Sequence, residues 1–140
     1  MVFLAVILAL WEVQIEGKDG WAAKLPTWRV SRGWVLKLTG GRPLTGYHIF
    51  MTVFLVSMVH LPLFFVPWSW RLEGLLLGWY LGMVLLEDFF WFALNPHYGL
   101  KNFRRGKIWW HRGWWGPLPA FYWVLCALCI LLFYLGWEAI

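Results

Sequence analysis

The chain has 140 residues, of which 61% are hydrophobic and 14% charged, with a net charge of +5 at pH 7. Soluble domains sit near about 45–50% apolar and about 25% charged, so this composition excludes a soluble globular domain and requires lipid as solvent. Fourteen Trp and 11 Phe fit the same class, because aromatic rings collect at the lipid–water boundary.

The first apolar run covers residues 1–15, interrupted by Glu12. It is short for a span, which needs about 20 residues, and is read as a tilted or shielded helix. No Lys or Arg precedes it and no small-residue cleavage site follows, so it is read as a retained helix. A polar, Trp-rich stretch follows to Gly46, suited to short helices and turns in the headgroup layer. Further spans are expected at 47–66, 72–94 and 117–137. Asn95-Pro96 ends the third, because Pro disfavours helix in the residue before it. Pro117 suits the first turn of the fourth. The expected architecture is an all-α integral membrane protein: one domain over 1–140, an antiparallel four-transmembrane-helix bundle with two interfacial Trp/Lys/Arg-rich loops.

Of the 12 Lys and Arg, all but Arg71 fall in the two long loops. By the positive-inside rule both loops face the cytoplasm, and both termini face outward. Anionic membrane lipid is the expected partner of these loops, rather than nucleic acid, since each juxtamembrane Lys or Arg gains about 1 kcal/mol at an acidic leaflet. Arg104, Arg105 and Arg112 are the candidates for clamping an anionic head group.

This topology gathers Glu12, Glu16, His48, Glu87, Asp88, His97 and His111 at one membrane face, leaving Glu73 and Glu138 at the other. Glu87 and Asp88 lie about 12 Å inside the helix end at ~1.5 Å per residue. Carboxylates at that depth need a cation, a proton or hydrogen-bond donors. They are read as a metal site, a proton relay or a catalytic acid–base pair, against a structural role pairing with loop Arg or Trp. Asp88 is the better candidate for the bundle interior, since it lies nearer the face of Gly74 and Gly78. The catalytic candidates are Asp88, Glu87 and His111. Glu12, Glu16, His48 and Asp88 form a candidate metal set for iron, manganese or zinc, although the helix-borne Glu-x-x-His spacing of soluble carboxylate bundles is missing. His97 reads as turn structure. His60 lies about 18 Å along its helix from His48, too far to share a metal, and is expected to bond a neighbouring helix. Gly74, Gly78 and Gly82 form a small-residue stripe for packing within the bundle or between copies. Cys126 and Cys129 fall among Leu and Ile and read as packing.

The runs IEGKDGWAAKLPTWR, RPLTGYH and EDFFWFALNPHYGLKNF…IWWHRGWWGP resemble a family of small prokaryotic four-helix membrane proteins. The resemblance covers most of the chain. It implies a bacterial or archaeal source and an uncleaved chain, and it carries no activity with it. Two functions follow from the residues. One is a small membrane enzyme, metal-dependent or acid–base, acting on an anionic lipid or isoprenoid substrate. The other is a non-catalytic accessory subunit or scaffold of a larger membrane complex.

Overall fold

The structure, a computed structural model, describes residues 1–137; Glu138 lies outside the described residues. The elements in order are helix α1 (Val2–Glu16), strand β1 (Arg29–Val30), helix α2 (Trp34–Leu38), strand β2 (Leu44–Thr45) and helix α3 (Gly46–Val59). Helix α4 (Trp70–Leu94), strands β3 (Trp114–Trp115) and β4 (Leu118–Pro119), and helix α5 (Ala120–Trp137) complete them.

The four-transmembrane-helix bundle is not what forms. Among the described residues only α4 and α5 are long and apolar enough to cross a membrane. α1 stops after 15 residues at Gly17, which takes φ +62°. A Cβ built on Gly82, midway along α4, would lie 2.7 Å from Met1 Sδ. At the other end Asn95 Nδ2 bonds the Gly17 carbonyl. α1 therefore runs parallel to half of α4 and matches only that half. α3 is also short, at 14 residues. The expected span 47–66 breaks at His60, after which Leu61–Phe64 tightens into a 3-10 turn with Pro62 in its first positions. Pro removes a backbone donor and clashes with the preceding turn, so the α-helix cannot continue through it.

Local signals explain the other ends. Thr45 caps α3 by accepting from the His48 backbone N–H. Ser69 caps α4 by accepting from Leu72 N–H, with Glu73 in the first turn where the helix dipole favours an anion. Asn95, in extended geometry, ends α4 before Pro96.

α5 runs back along α4 over the glycine stripe. A Cβ at Gly74 would meet Leu132 O at 3.2 Å, and one at Gly78 would meet Leu132 Cβ at 3.3 Å. The stripe is thus filled by α5 of the same chain, and not held open for a second copy. The two long loops pack on each other at one end of the helices. β1 pairs antiparallel with β2, enclosing residues 31–43 of the first loop, and β3 pairs with β4 in a tight hairpin across Gly116-Pro117 just before α5. Between them lies an aromatic core of Trp91, Phe92, Ile108 and Trp110 with Ala9 and Val13 of α1. Gly20 lets the loops meet: a Cβ there would fall 2.5 Å from the Trp110 ring. At the opposite end His60 Nε2 bonds Glu73 Oε1 at 3.0 Å, and Trp68 Nε1 donates to Glu73 Oε2.

Candidate acid–base site

A cavity of about 490 Å³ opens under the loop cap, lined by α1, α3, α4, α5 and the first loop. Glu12 and Glu16 reach it from α1, His48 from α3, Glu87 and Asp88 from α4, and Arg42 from the loop. Leu8, Leu55, Val84, Val124 and Leu125 supply apolar wall.

Asp88 is held by two elements that sequence distance hides. Tyr122 Oη of α5 donates to its Oδ2 at 2.5 Å, and His111 Nε2 stands 3.2 Å from the same oxygen. That bond makes Nε2 the protonated nitrogen and leaves His111 Nδ1 buried without a partner. Phe121 lies against the imidazole, 4.8 Å between ring centroids.

Glu12 accepts from Tyr47 Oη at 3.0 Å, and Glu87 lines the same cavity wall. Two neighbouring buried carboxyl groups repel when both are ionised, which suits the pair to holding a proton. Glu87 is the more deeply buried of the adjacent acids, at 6% exposure, whereas the Asp88 side chain retains 21%. The expectation that Asp88 is the inner residue is therefore reversed: Glu87 is the deeper of the two, and Asp88 meets His111 and Tyr122 of α5. Glu87 Oε1 and Trp91 Nε1, one turn apart, are buried without hydrogen-bond partners.

The first loop is folded around Glu16. Its Oε1 accepts from Ala22 N–H at 2.5 Å and lies 3.7 Å from His48 Nε2. Trp21 and Ala22 adopt φ 48° and 49°, in the left-handed region. Each such non-glycine residue costs on the order of 1–3 kcal/mol, and persists only where its surroundings fix it. Here the strain turns the Trp21 ring into the site, between the stacked His48 imidazole at 4.2 Å and the Arg42 guanidinium at 4.5 Å. Thr45 Oγ1 accepts from His48 N–H and lies 2.6 Å from His48 Nδ1. The threonine hydroxyl thus fixes the His48 ring from the Nδ1 side and leaves Nε2 toward Glu16.

Burial sets the charges of the loop-side groups. Glu16 is pushed up to about 8 by desolvation, with the neighbouring Glu12 adding to it. His48 is pushed down to about 4 by burial, with Arg42 adding to it. Burial lowers Arg42 as well, and the Asp88 charge offsets part of that.

The structure brings Glu12, Glu16, His48, Glu87 and Asp88 around one cavity, with His111 behind Asp88. This geometry does not support the metal reading: among the described residues no group of three or more His, Cys, Asp or Glu is placed to hold a metal ion. The carboxylates of Glu12, Glu16 and Asp88 are instead directed at Tyr47, Ala22 and Tyr122. Arg104, Arg105 and Arg112 are exposed and do not line the cavity. Arg112 packs its guanidinium over Gly41, where a Cβ would collide with it. His97 is exposed, its backbone N–H bonded to Asn95 Oδ1 in the turn after α4. Sequence reasoning missed Arg42, Tyr47, Trp21 and Tyr122. Tyr122 was open to discovery, since a tyrosine near the loop end of an apolar helix needs a partner for its hydroxyl. No protein-family model, curated protein or solved structure matches the chain.

Proposed function

We propose that the chain is a small membrane-embedded enzyme doing acid–base chemistry on the polar end of a lipidic substrate. The observation that carries this reading is the Asp88–His111 hydrogen bond beside a cavity that Asp88 lines together with the neighbouring carboxyl groups of Glu12 and Glu87. Ionisable groups gathered in a largely apolar cavity are arranged for proton transfer more readily than for stability. Asp88, oriented by His111 and Tyr122, serves as the base. The Glu12–Glu87 pair stores the proton, and Glu16 with His48 leads toward the loops.

In the same reading α4 and α5 cross the membrane, and the Lys/Arg-rich loops face the cytoplasm by the positive-inside rule. Exposed Arg104 and Arg105, with Lys101 and Lys107, meet anionic lipid there as a surface contact and not as part of the cavity. A second reading, a non-catalytic subunit, draws support from one observation: Asp88 Oδ2 already has two partners within the chain.

Incubating the purified protein with a total prokaryotic lipid extract, followed by mass spectrometry, separates the two. The enzyme reading expects wild type to convert a lipid class that Asp88→Asn, folded with unchanged helicity, leaves intact. Wild type that leaves every lipid unchanged sinks it and favours the subunit.

A further inference from the structure

The polar cavity has an apolar neighbour. It shares Leu8 and Leu55 with a second cavity of about 560 Å³, whose lining is apolar side chains throughout. This groove lies between α3 and α4, flanked by α1, and runs from Leu8, Leu55 and Met83 to Leu76 and Pro62. Met83 to Leu76 is about 10 Å of helix at ~1.5 Å per residue. Leu4, Leu8 and Glu12 recur at four-residue spacing on α1, and Met83 and Glu87 do so on α4. Each apolar stripe therefore ends in one member of the carboxyl pair.

At that end stand the two unpartnered atoms, Glu87 Oε1 and Trp91 Nε1, on residues 6% and 4% exposed. One is an acceptor and the other a donor, on successive turns of one helix face. A hydroxyl serves both, having one O–H to give and lone pairs to receive. An ammonium has no lone pair for Trp91. A phosphate adds anionic oxygens beside four carboxyl groups, while Arg42, the one guanidinium lining the cavity, is stacked on Trp21 and bonded to the Thr39 carbonyl.

We infer that the two cavities form one binding site for a lipid alcohol, with its hydroxyl between Glu87 and Trp91 and its single hydrocarbon chain in the groove. This rests on reading the polar cavity as a substrate site, and it names the class of substrate.

Photolabelling in lipid nanodiscs tests it, using dodecanol with a diazirine at the far end of the chain and the matching amine and phosphate in parallel. The alcohol is expected to label segments 54–62 and 76–83 more strongly than the other two probes. Trp91→Phe should cut that labelling by about three- to tenfold, the value of one hydrogen bond. Leu55→Trp, which fills the junction and leaves the polar atoms in place, should abolish labelling near Leu76. Equal labelling by all three probes, or labelling indifferent to both substitutions, means the groove takes bulk lipid and overturns the inference. Preference for the amine or the phosphate overturns it too. Because binding is read without turnover, alcohol binding with no lipid conversion would remove the acid–base reading alone.

Discussion

Asn95 Nδ2 donates to the Gly17 carbonyl oxygen at 2.7 Å, tying the end of α4 to the end of α1 across 78 residues of sequence. Asn95 is 1% exposed, and its Oδ1 also accepts from His97 N–H. The bond fixes the relative height of the two helices, and with it the meeting of Glu12 and Glu87. Asn95→Ala leaves the Gly17 carbonyl without its donor and should cost about 1–3 kcal/mol. Thermal unfolding in detergent reads the loss. Asn95→Asp, which keeps the acceptor but not the amide donor, should recover little of it.

Tyr122 and His111 act on the same oxygen of Asp88. Tyr122→Phe removes one donor and should destabilise by about 1–2 kcal/mol. A double-mutant cycle with His111→Ala should give a coupling on the order of 0.5–3 kcal/mol, as expected for groups in one hydrogen-bond network. Strict additivity would show that the two hold Asp88 independently.

Two loop-side groups give the protein a defined pH response. Glu16 rises from 4.5 unfolded to about 8 folded, so its contribution to stability is full below pH 4.5 and declines as pH climbs through about 8. His48 falls from 6.5 to about 4, so its contribution is full above pH 6.5 and disappears as pH drops through about 4. The two oppose each other between 4.5 and 6.5, and of the two only Glu16 acts above that. Its share of the pH response should lower Tm from pH 6.5 to 8, and Glu16→Gln should lessen that slope. A slope that persists in the variant assigns it elsewhere.

Gly136 sits where α5 crosses the start of α4. A Cβ there would lie 2.8 Å from Arg71 O and 2.7 Å from Leu75 Cγ. Since a backbone oxygen cannot step aside cheaply, Gly136→Ala should cost about 1–3 kcal/mol, with Gly78→Ala milder. Neither change should alter the oligomeric state measured by light scattering, because the glycines serve contacts inside one chain. Dissociation of an oligomer on Gly78→Ala would contradict this.

The two long helices were legible because their signals are local. The largely apolar runs before Asn95-Pro96 and after Pro117 lie within a few residues of α4 and α5. The extent of α1 was legible too, but not its role, since what decides that is the point on α4 where Met1 docks. Pro62 was visible in the sequence, yet its effect on the expected span 47–66 was outweighed by hydropathy alone. For the site, placing polar residues by height along the helices brought Glu12, Glu16, His48, Glu87 and Asp88 to one level. It did not reveal their partners. Trp21 enters through two left-handed backbone residues, and Arg42 through the turn before β2; neither leaves a periodic trace. Counting positive charge pointed to Arg104 and Arg105, which are exposed and outside the cavity, because charge density along the chain carries no information about which side chains turn inward.

The parallel pairing of α1 with the second half of α4 also sets the order of assembly. Asn95 leaves the ribosome 78 residues after Gly17, a delay of roughly 4–15 s at about 5–20 residues per second. Through that interval the nascent α1 carries an acid that has no mate. The pair forms only once Glu87 of α4 has been made, so the earliest-made segment waits for a partner made much later.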